Sequence, residues 1–209
     1  VIVIAKAPVP GRVKTRLCPP CTPAQAAALA GAALEDTVVA ALGSDADEVV
    51  LALDGAPPAW LPPGARVVPQ RGGGLDERLA AAFDDAGAPA LLVGMDTPQV
   101  SSDLLRRGLE ALDASDAVLG HAEDGGFWAV GLRRADAGAF LGVPMSTDRT
   151  GRVQRRRLYA LGLRVRALPV LRDVDLIDDA RAVAAQAPGT RFAATLSAFG
   201  LEREKRAAS

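Results

Sequence analysis

The chain has one histidine, two cysteines and few lysines in 209 residues. The single His121 removes histidine-based metal clusters and a serine triad from consideration. Cys18 and Cys21 form a C-P-P-C. A zinc site needs four ligands, which two cysteines and one histidine do not supply. A redox pair and a pair of small residues in a proline-rich loop both remain open, and the second is the plainer reading. Formal charge is −1, so no global field draws nucleic acid and any attraction for phosphate must be local. No apolar run reaches the roughly 20 residues that span a bilayer. The opening VIVIA is too short for a signal-peptide core, and the chain begins at Val1 without a methionine. The expectation is a cytoplasmic protein with no membrane and no nucleic-acid partner. Lysine is the scarcest cation: Lys6, Lys14 and Lys205 stand against 21 arginines. Two of the three lie within nine residues, which suggests positions that need a compact ammonium rather than a guanidinium fork.

What is present is half apolar and of one-domain length. Apolar runs at 1–5, 48–54, 66–70, 90–94, 116–120, 127–132 and 164–168 predict strands, several of them buried on both faces. Helical periodicity predicts helices from Pro23 to about Leu42, after Gly74, after Ser101 or Ser102, over 150–161, over 176–187 and over 190–199. In the first helix Leu34, Val38, Ala41 and Leu42 share a face, and Thr22-Pro23 caps its start. The alternation predicts an α/β fold, a three-layer α/β/α sandwich around a mixed, mainly parallel sheet. One domain is expected over 1–200, with a charged tail over 201–209.

Four blocks carry chemistry. The first runs from Ala5 to Leu17 (A-K-A-P-V-P-G-R-V-K-T-R-L) and follows the first strand directly. Open α/β sheets bind ligands beyond their strands' carboxyl ends. A loop there with Ala5, Lys6, Gly11, Lys14, Thr15 and Arg16 offers backbone N–H groups and cations to a di- or triphosphate. It is neither a Walker loop nor GxGxxG. The second is Gly94-Met95-Asp96-Thr97-Pro98, which puts Asp96 at the end of a buried strand as a first metal ligand; a helix N-cap is the alternative. The third is Asp173-Val174-Asp175, with Asp175 as the second metal ligand and Asp173 in reserve. A hard cation bound with phosphates takes only one or two protein carboxylates. The fourth is Asp124-Gly125-Gly126-Phe127-Trp128, where Asp124 acts as base or holds an acceptor hydroxyl, against the reading of a plain turn. Gly125, Gly126, Ser146 and Thr147 are expected to bind the acceptor, with the stretch Met145-Ser146-Thr147-Asp148 lining its pocket, and Gly74, in the block Gly72-Gly73-Gly74-Leu75-Asp76-Glu77-Arg78, to contact a base or sugar edge of the nucleotide at a helix start.

Together these blocks resemble a glycosyltransferase-A-fold family once called a domain of unknown function, also labelled a radical-SAM/selenodomain-associated transferase. More distantly they are similar to phospholactate and phosphoenolpyruvate guanylyltransferases and to molybdenum cofactor nucleotidyltransferases. The resemblance implies a nucleotide-diphospho-sugar transferase (GT-A, Rossmann-like) fold. Lys14 and Gly11 would then meet phosphates, and Asp96 and Asp175 would hold Mg2+ or Mn2+. Lys14, Asp96 and Asp124 would be the catalytic set. The implied function is a metal-dependent transferase with a nucleotide-sugar donor and a small-molecule acceptor. The alternatives are a nucleotidyltransferase that releases pyrophosphate and a non-catalytic nucleotide-binding module.

Overall fold

A computed structural model describes residues 1–202. Seven strands and six helices follow in the order β1 (Ile2–Lys6), α1 (Pro23–Leu42), β2 (Val49–Asp54), β3 (Ala65–Pro69), α2 (Leu75–Ala86), β4 (Ala90–Gly94), α3 (Ser102–Ala114), β5 (Ala117–Ala122), β6 (Phe127–Leu132), α4 (Thr150–Ala160), β7 (Val165–Leu171), α5 (Ile177–Gln186) and α6 (Arg191–Ala198). Two short 3-10 turns, Thr15–Leu17 and Ala137–Ala139, have no counterpart in the periodicity, because three residues are too few to show one.

The strands form one sheet in the order β3-β2-β1-β4-β6-β5-β7. β6 runs antiparallel to both β4 and β5, and every other pairing is parallel. The sheet is therefore mixed and mainly parallel, as the alternation of strands and helices predicts. The inserted β6 has a direct consequence: the carboxyl ends of β1, β2, β4, β5 and β7 all reach one rim, where β6 begins.

Two cores sandwich the sheet. On one face, Val3, Leu51, Leu91 and Val93 pack against Leu34 and Val38 of α1 and Leu105 and Leu112 of α3. On the other, Ile2, Leu92 and Val130 meet Leu79 and Phe83 of α2 and Leu158 of α4. Phe83 stacks on Phe140 with ring centroids 5.1 Å apart. A third cluster lies behind α1, where Leu29 and Ala33 pack against Val183, Phe192 and Leu196 of α5 and α6. Two backbone N–H groups at the start of α6, of Arg191 and Phe192, donate to the Asp36 carboxylate at 3.0 and 2.8 Å and so fix that helix to α1. Burial pushes the Asp36 carboxyl up, against those two donors.

α1 is 20 residues long and apolar enough in composition to cross a membrane, contrary to the reading that no run approaches that length. It is packed between the sheet and α6, with 67% of its most apolar stretch buried. Leu42, expected on the inward face, is 36% exposed. It is the last helical residue and lies beside Gly64 in the β2–β3 connection, outside the sheet-facing core. Leu201, assigned to the tail, is buried against the third cluster, and the remainder of that tail, with Lys205, lies outside the described residues from 203 onward.

Candidate active site

The loop after β1 is anchored by two apolar side chains, Val13 in the first core and Leu17 in the third. Lys14 stands between these anchors and is thrown toward the rim. Its backbone is left-handed, φ 48° and ψ 36°, a conformation that costs a non-glycine residue on the order of 1 kcal/mol. Gly11, at φ 76°, takes the other left-handed position in the loop, at no such cost.

The Lys14 ammonium sits 2.6 Å from Asp96 Oδ1 and donates to the Val174 carbonyl. The Val174 N–H in turn donates to the Asp96 carbonyl at 2.8 Å. Three segments distant in sequence are thus joined at one point: the β1 loop, the end of β4 and the connection after β7. Lys14 is 12% exposed and Asp96 51%, so the lysine is the better shielded partner.

Val174 is buried, and the two aspartates beside it differ in their surroundings. Asp175, expected as the second metal ligand, forms an ion pair with Arg16. The half-buried Asp173 has its carboxyl pushed up to about 6, first by burial, then by the nearby charges of Asp124 and Asp96. A hydrogen bond from its own backbone N–H and, after it, the Lys14 charge oppose that rise.

The β5–β6 turn supplies Asp124, whose Oδ1 accepts the Gly126 N–H at 2.7 Å. Gly125 has φ 93°, and a Cβ there would lie 2.0 Å from the Asp148 carbonyl oxygen. The Gly151 N–H donates to the Gly125 carbonyl at 2.9 Å. This close approach seats the start of α4 on the turn and brings Ser146, at φ 58°, and Thr147 alongside. His121 lies behind the turn against Gly151.

On the far side, Gln70 follows β3 and spans two strand ends. Its Nε2 donates to the carbonyls of Ala5 (2.7 Å) and Ala52 (3.0 Å). Arg78 of α2 donates to Asp54 at 3.2 Å and to Gln70 Oε1 at 3.4 Å, while its buried Nε has no protein partner. Gly74 opens α2 without a side-chain cap, and the Gly73 N–H donates to Glu77 at 2.6 Å.

These segments enclose a cavity of about 680 Å3 at the shared rim, a size that suits a nucleotide-scale ligand. Of the residues named from sequence, Ala5, Lys6, Lys14, Thr15 and Arg16 line it on the loop side. Asp96, Asp124, Gly126, Ser146, Thr147 and Asp175 line it opposite. Gly11, Gly74 and Gly125, expected at the ligand, do not line it: Gly11 and Gly125 occupy positive-φ positions of their turns and Gly74 precedes α2. Met145, Arg78 and Phe127 also line it, each inside a block recognised in the sequence. Sequence reasoning missed Gln70, which no pattern marks. Among the described residues no group of three or more His, Cys, Asp or Glu forms a metal cage. Cys18 and Cys21 are free thiols, and Cys21 packs into the third core with its thiol pushed up by burial.

This architecture is the nucleotide-diphospho-sugar transferase fold. A Desulfovibrio desulfuricans G20 protein, provisionally named a nucleotide-diphospho-sugar transferase, superimposes with a TM-score of 0.86 at 25% identity, over 97% of this chain and 96% of that one. The chain belongs to the family described as "Uncharacterized protein conserved in bacteria (DUF2064)", whose model matches residues 25–147. The 2-C-methyl-D-erythritol 4-phosphate cytidylyltransferase of Thermus thermophilus shares the fold at 22% identity and a TM-score of 0.55, over 90% and 98% of the two chains. So does Rv0371c of Mycobacterium tuberculosis H37Rv, solved as a manganese complex, at 22% identity and a TM-score of 0.52, over 87% and 96%. No curated protein matches by sequence.

Proposed function

We propose that this protein is a metal-assisted transferase that takes a nucleotide donor and passes part of it to a small acceptor. The observation that carries the reading is the Lys14–Asp96 contact of 2.6 Å at the rim. It stands in a cavity whose cations come from the β1 loop and α2, and whose carboxylates Asp96, Asp124, Asp173 and Asp175 come from the ends of β4, β5 and β7. Phosphates fit the cationic side, and the carboxylates face them.

The donor set suits a hard divalent ion, Mg2+ or Mn2+. Asp173 is held up in part by Asp124 and Asp96, a gathering of like charge that a divalent ion relieves. One or two carboxylates suffice when phosphate oxygens complete the shell, so the lack of a three-ligand cage among the described residues is in keeping. We assign Asp173 to this role with Asp96, ahead of Asp175, because Asp173 stands among the like charges of Asp96 and Asp124 whereas Asp175 is paired with Arg16. The manganese complex of the M. tuberculosis protein supports the choice of metal class. When bound, such an ion neutralises phosphate charge and steadies the leaving group.

The chain's own residues do the rest. Arg12, Lys14 and Arg16 offset phosphate charge, and an ammonium between Asp96 and the Val174 carbonyl is held ready for the charge that develops on the leaving oxygen. Asp124, fixed by the Gly126 N–H, receives the acceptor's hydroxyl proton. Gln70 and Arg78 form the end of the cavity suited to the nucleoside. With a nucleotide-sugar, the acceptor oxygen bonds to the anomeric carbon and the nucleoside diphosphate leaves with the bonding electrons. The close match to the D. desulfuricans protein supports this donor.

A second reading has its own support. Lys6 and Arg12 line the loop side of the cavity beside the paired Lys14 and Arg16, which leaves positive charge for a third phosphate. A nucleoside triphosphate uses it: the acceptor oxygen bonds to the α-phosphorus and pyrophosphate leaves. A thermal-shift panel of nucleotide-sugars and nucleoside triphosphates, each with and without Mg2+, tests the class. Stabilisation by a nucleotide only when Mg2+ is present is the expected result. Release of a nucleoside diphosphate or of pyrophosphate then separates the two donors. A panel in which no nucleotide shifts the melt with either metal ends the proposal.

A further inference from the structure

We infer that the acceptor is a neutral or cationic molecule with an apolar body, and not a phosphate ester or other anion; the inference rests on the transferase reading of the same cavity. The cavity has two unlike ends. Under the β1 loop and beside α2 it is lined by Lys6, Arg12, Lys14, Arg16 and Arg78. At the end formed by β6 and the start of α4 the side chains are Asp124, Phe127, Met145, Ser146, Thr147 and Thr150. No Lys or Arg lines that end among the described residues.

Its floor is apolar. Phe127 and Met145 rest on the core that contains Phe140 and Leu158, and both keep part of their surface open. An aromatic or aliphatic body can lie there with van der Waals contact and lose water from its apolar face.

The start of α4 would ordinarily attract an anion, because its first N–H groups carry partial positive charge. Here the first two of those donors are occupied. The Thr150 N–H donates to the Thr147 carbonyl at 3.1 Å and the Gly151 N–H to the Gly125 carbonyl at 2.9 Å. The Thr150 hydroxyl is also engaged, donating to the Pro144 carbonyl at 3.0 Å and accepting the Thr147 N–H at 3.0 Å. Lys14, held by Asp96 and the Val174 carbonyl, belongs to the donor side. The charged side chain at this end is the Asp124 carboxylate, which repels an anionic acceptor. An ammonium or a hydroxyl meets a ready acceptor in Asp124.

Matched probes test this. Melting curves with Mg2+ and the nucleotide panel first report donor binding on its own. With the best nucleotide and Mg2+ saturating, or on the free protein if none binds, tyramine, benzyl alcohol and phenyl phosphate are titrated by calorimetry. Tyramine or benzyl alcohol is expected to bind at least tenfold more tightly than phenyl phosphate. Thr147→Lys and Met145→Lys, each checked for folding by its melting curve, should shift that ratio toward phenyl phosphate by at least tenfold. Equal or tighter binding of phenyl phosphate to the unaltered protein, no measurable binding of tyramine or benzyl alcohol, or a ratio that moves in neither lysine variant overturns the inference. Absence of any nucleotide-induced shift in the first arm counts against the donor reading instead, so the two failures are distinct.

Discussion

Asp173→Asn is expected to raise stability at neutral pH while it weakens metal-supported nucleotide binding. The Asp173 carboxyl is raised from 3.8 to about 6 in the fold. A carboxyl raised on folding binds more protons in the folded state than in the unfolded one across that interval. Stability therefore falls as pH climbs from about 4 to about 6, and the full penalty is present above it. Two pH units correspond to roughly 3 kcal/mol at most. The side chain keeps substantial exposure, and solvent screening reduces this to about 1 kcal/mol. Asparagine cannot ionise, so the variant should melt about 2–4 °C above the parent at pH 7.5, for a chain of this size. The gain should disappear near pH 4, where the parent's carboxyl is already protonated. Melting curves at pH 4, 5, 6, 7 and 8 give the profile. Repeating them at pH 7.5 with nucleotide, with and without Mg2+, should reveal a metal-dependent shift in the parent that is reduced at least tenfold in apparent affinity in the variant. A stability gain of equal size at every pH would refute the electrostatic argument, and an unchanged metal-dependent shift would remove Asp173 from the metal site.

Asp96→Asn should abolish the Mg2+-dependent nucleotide shift and leave a folded protein by circular dichroism; an undiminished shift refutes the assignment of Asp96. Lys14→Arg should lower turnover at least tenfold, because a guanidinium fork does not fit between Asp96 and the Val174 carbonyl, and full activity would show that any cation serves. Gly125→Ala should destabilise the fold by about 2 kcal/mol or more, since φ is 93° and the added methyl meets the Asp148 carbonyl; an unchanged melting temperature would contradict the described turn. Phe83→Ala removes the ring stacked on Phe140 and should cost about 3–5 kcal/mol in denaturant unfolding, with a loss below 1 kcal/mol indicating that the core refills.

Much of this protein is legible in one dimension because the relevant forces are local or periodic. The β-branched opening run, the Thr22-Pro23 start of α1 and the repeat of strand and helix follow from side-chain pattern and capping alone. So does the position of the Ala5–Leu17 block directly after a strand, which made a phosphate-binding loop the natural expectation. The order of the strands is another matter. Nothing in residues 127–132 reports that β6 turns back to lie between β4 and β5, since strand direction depends on which neighbour offers hydrogen-bond partners. That insertion brings Asp124 to the rim with Asp96. The different environments of Asp173 and Asp175 were equally hidden. Two carboxylates separated by one residue look equivalent in sequence, and only the arrival of Arg16, 159 residues away, neutralises one and leaves the other among like charges. Gln70 carries no signature because its role rests on strand-end carbonyls that folding brings together. Propensity and periodicity set the class of fold and mark the segments that bear chemistry. Tertiary structure decided which charges meet, because charge–charge interactions depend on distance in space and not on separation along the chain.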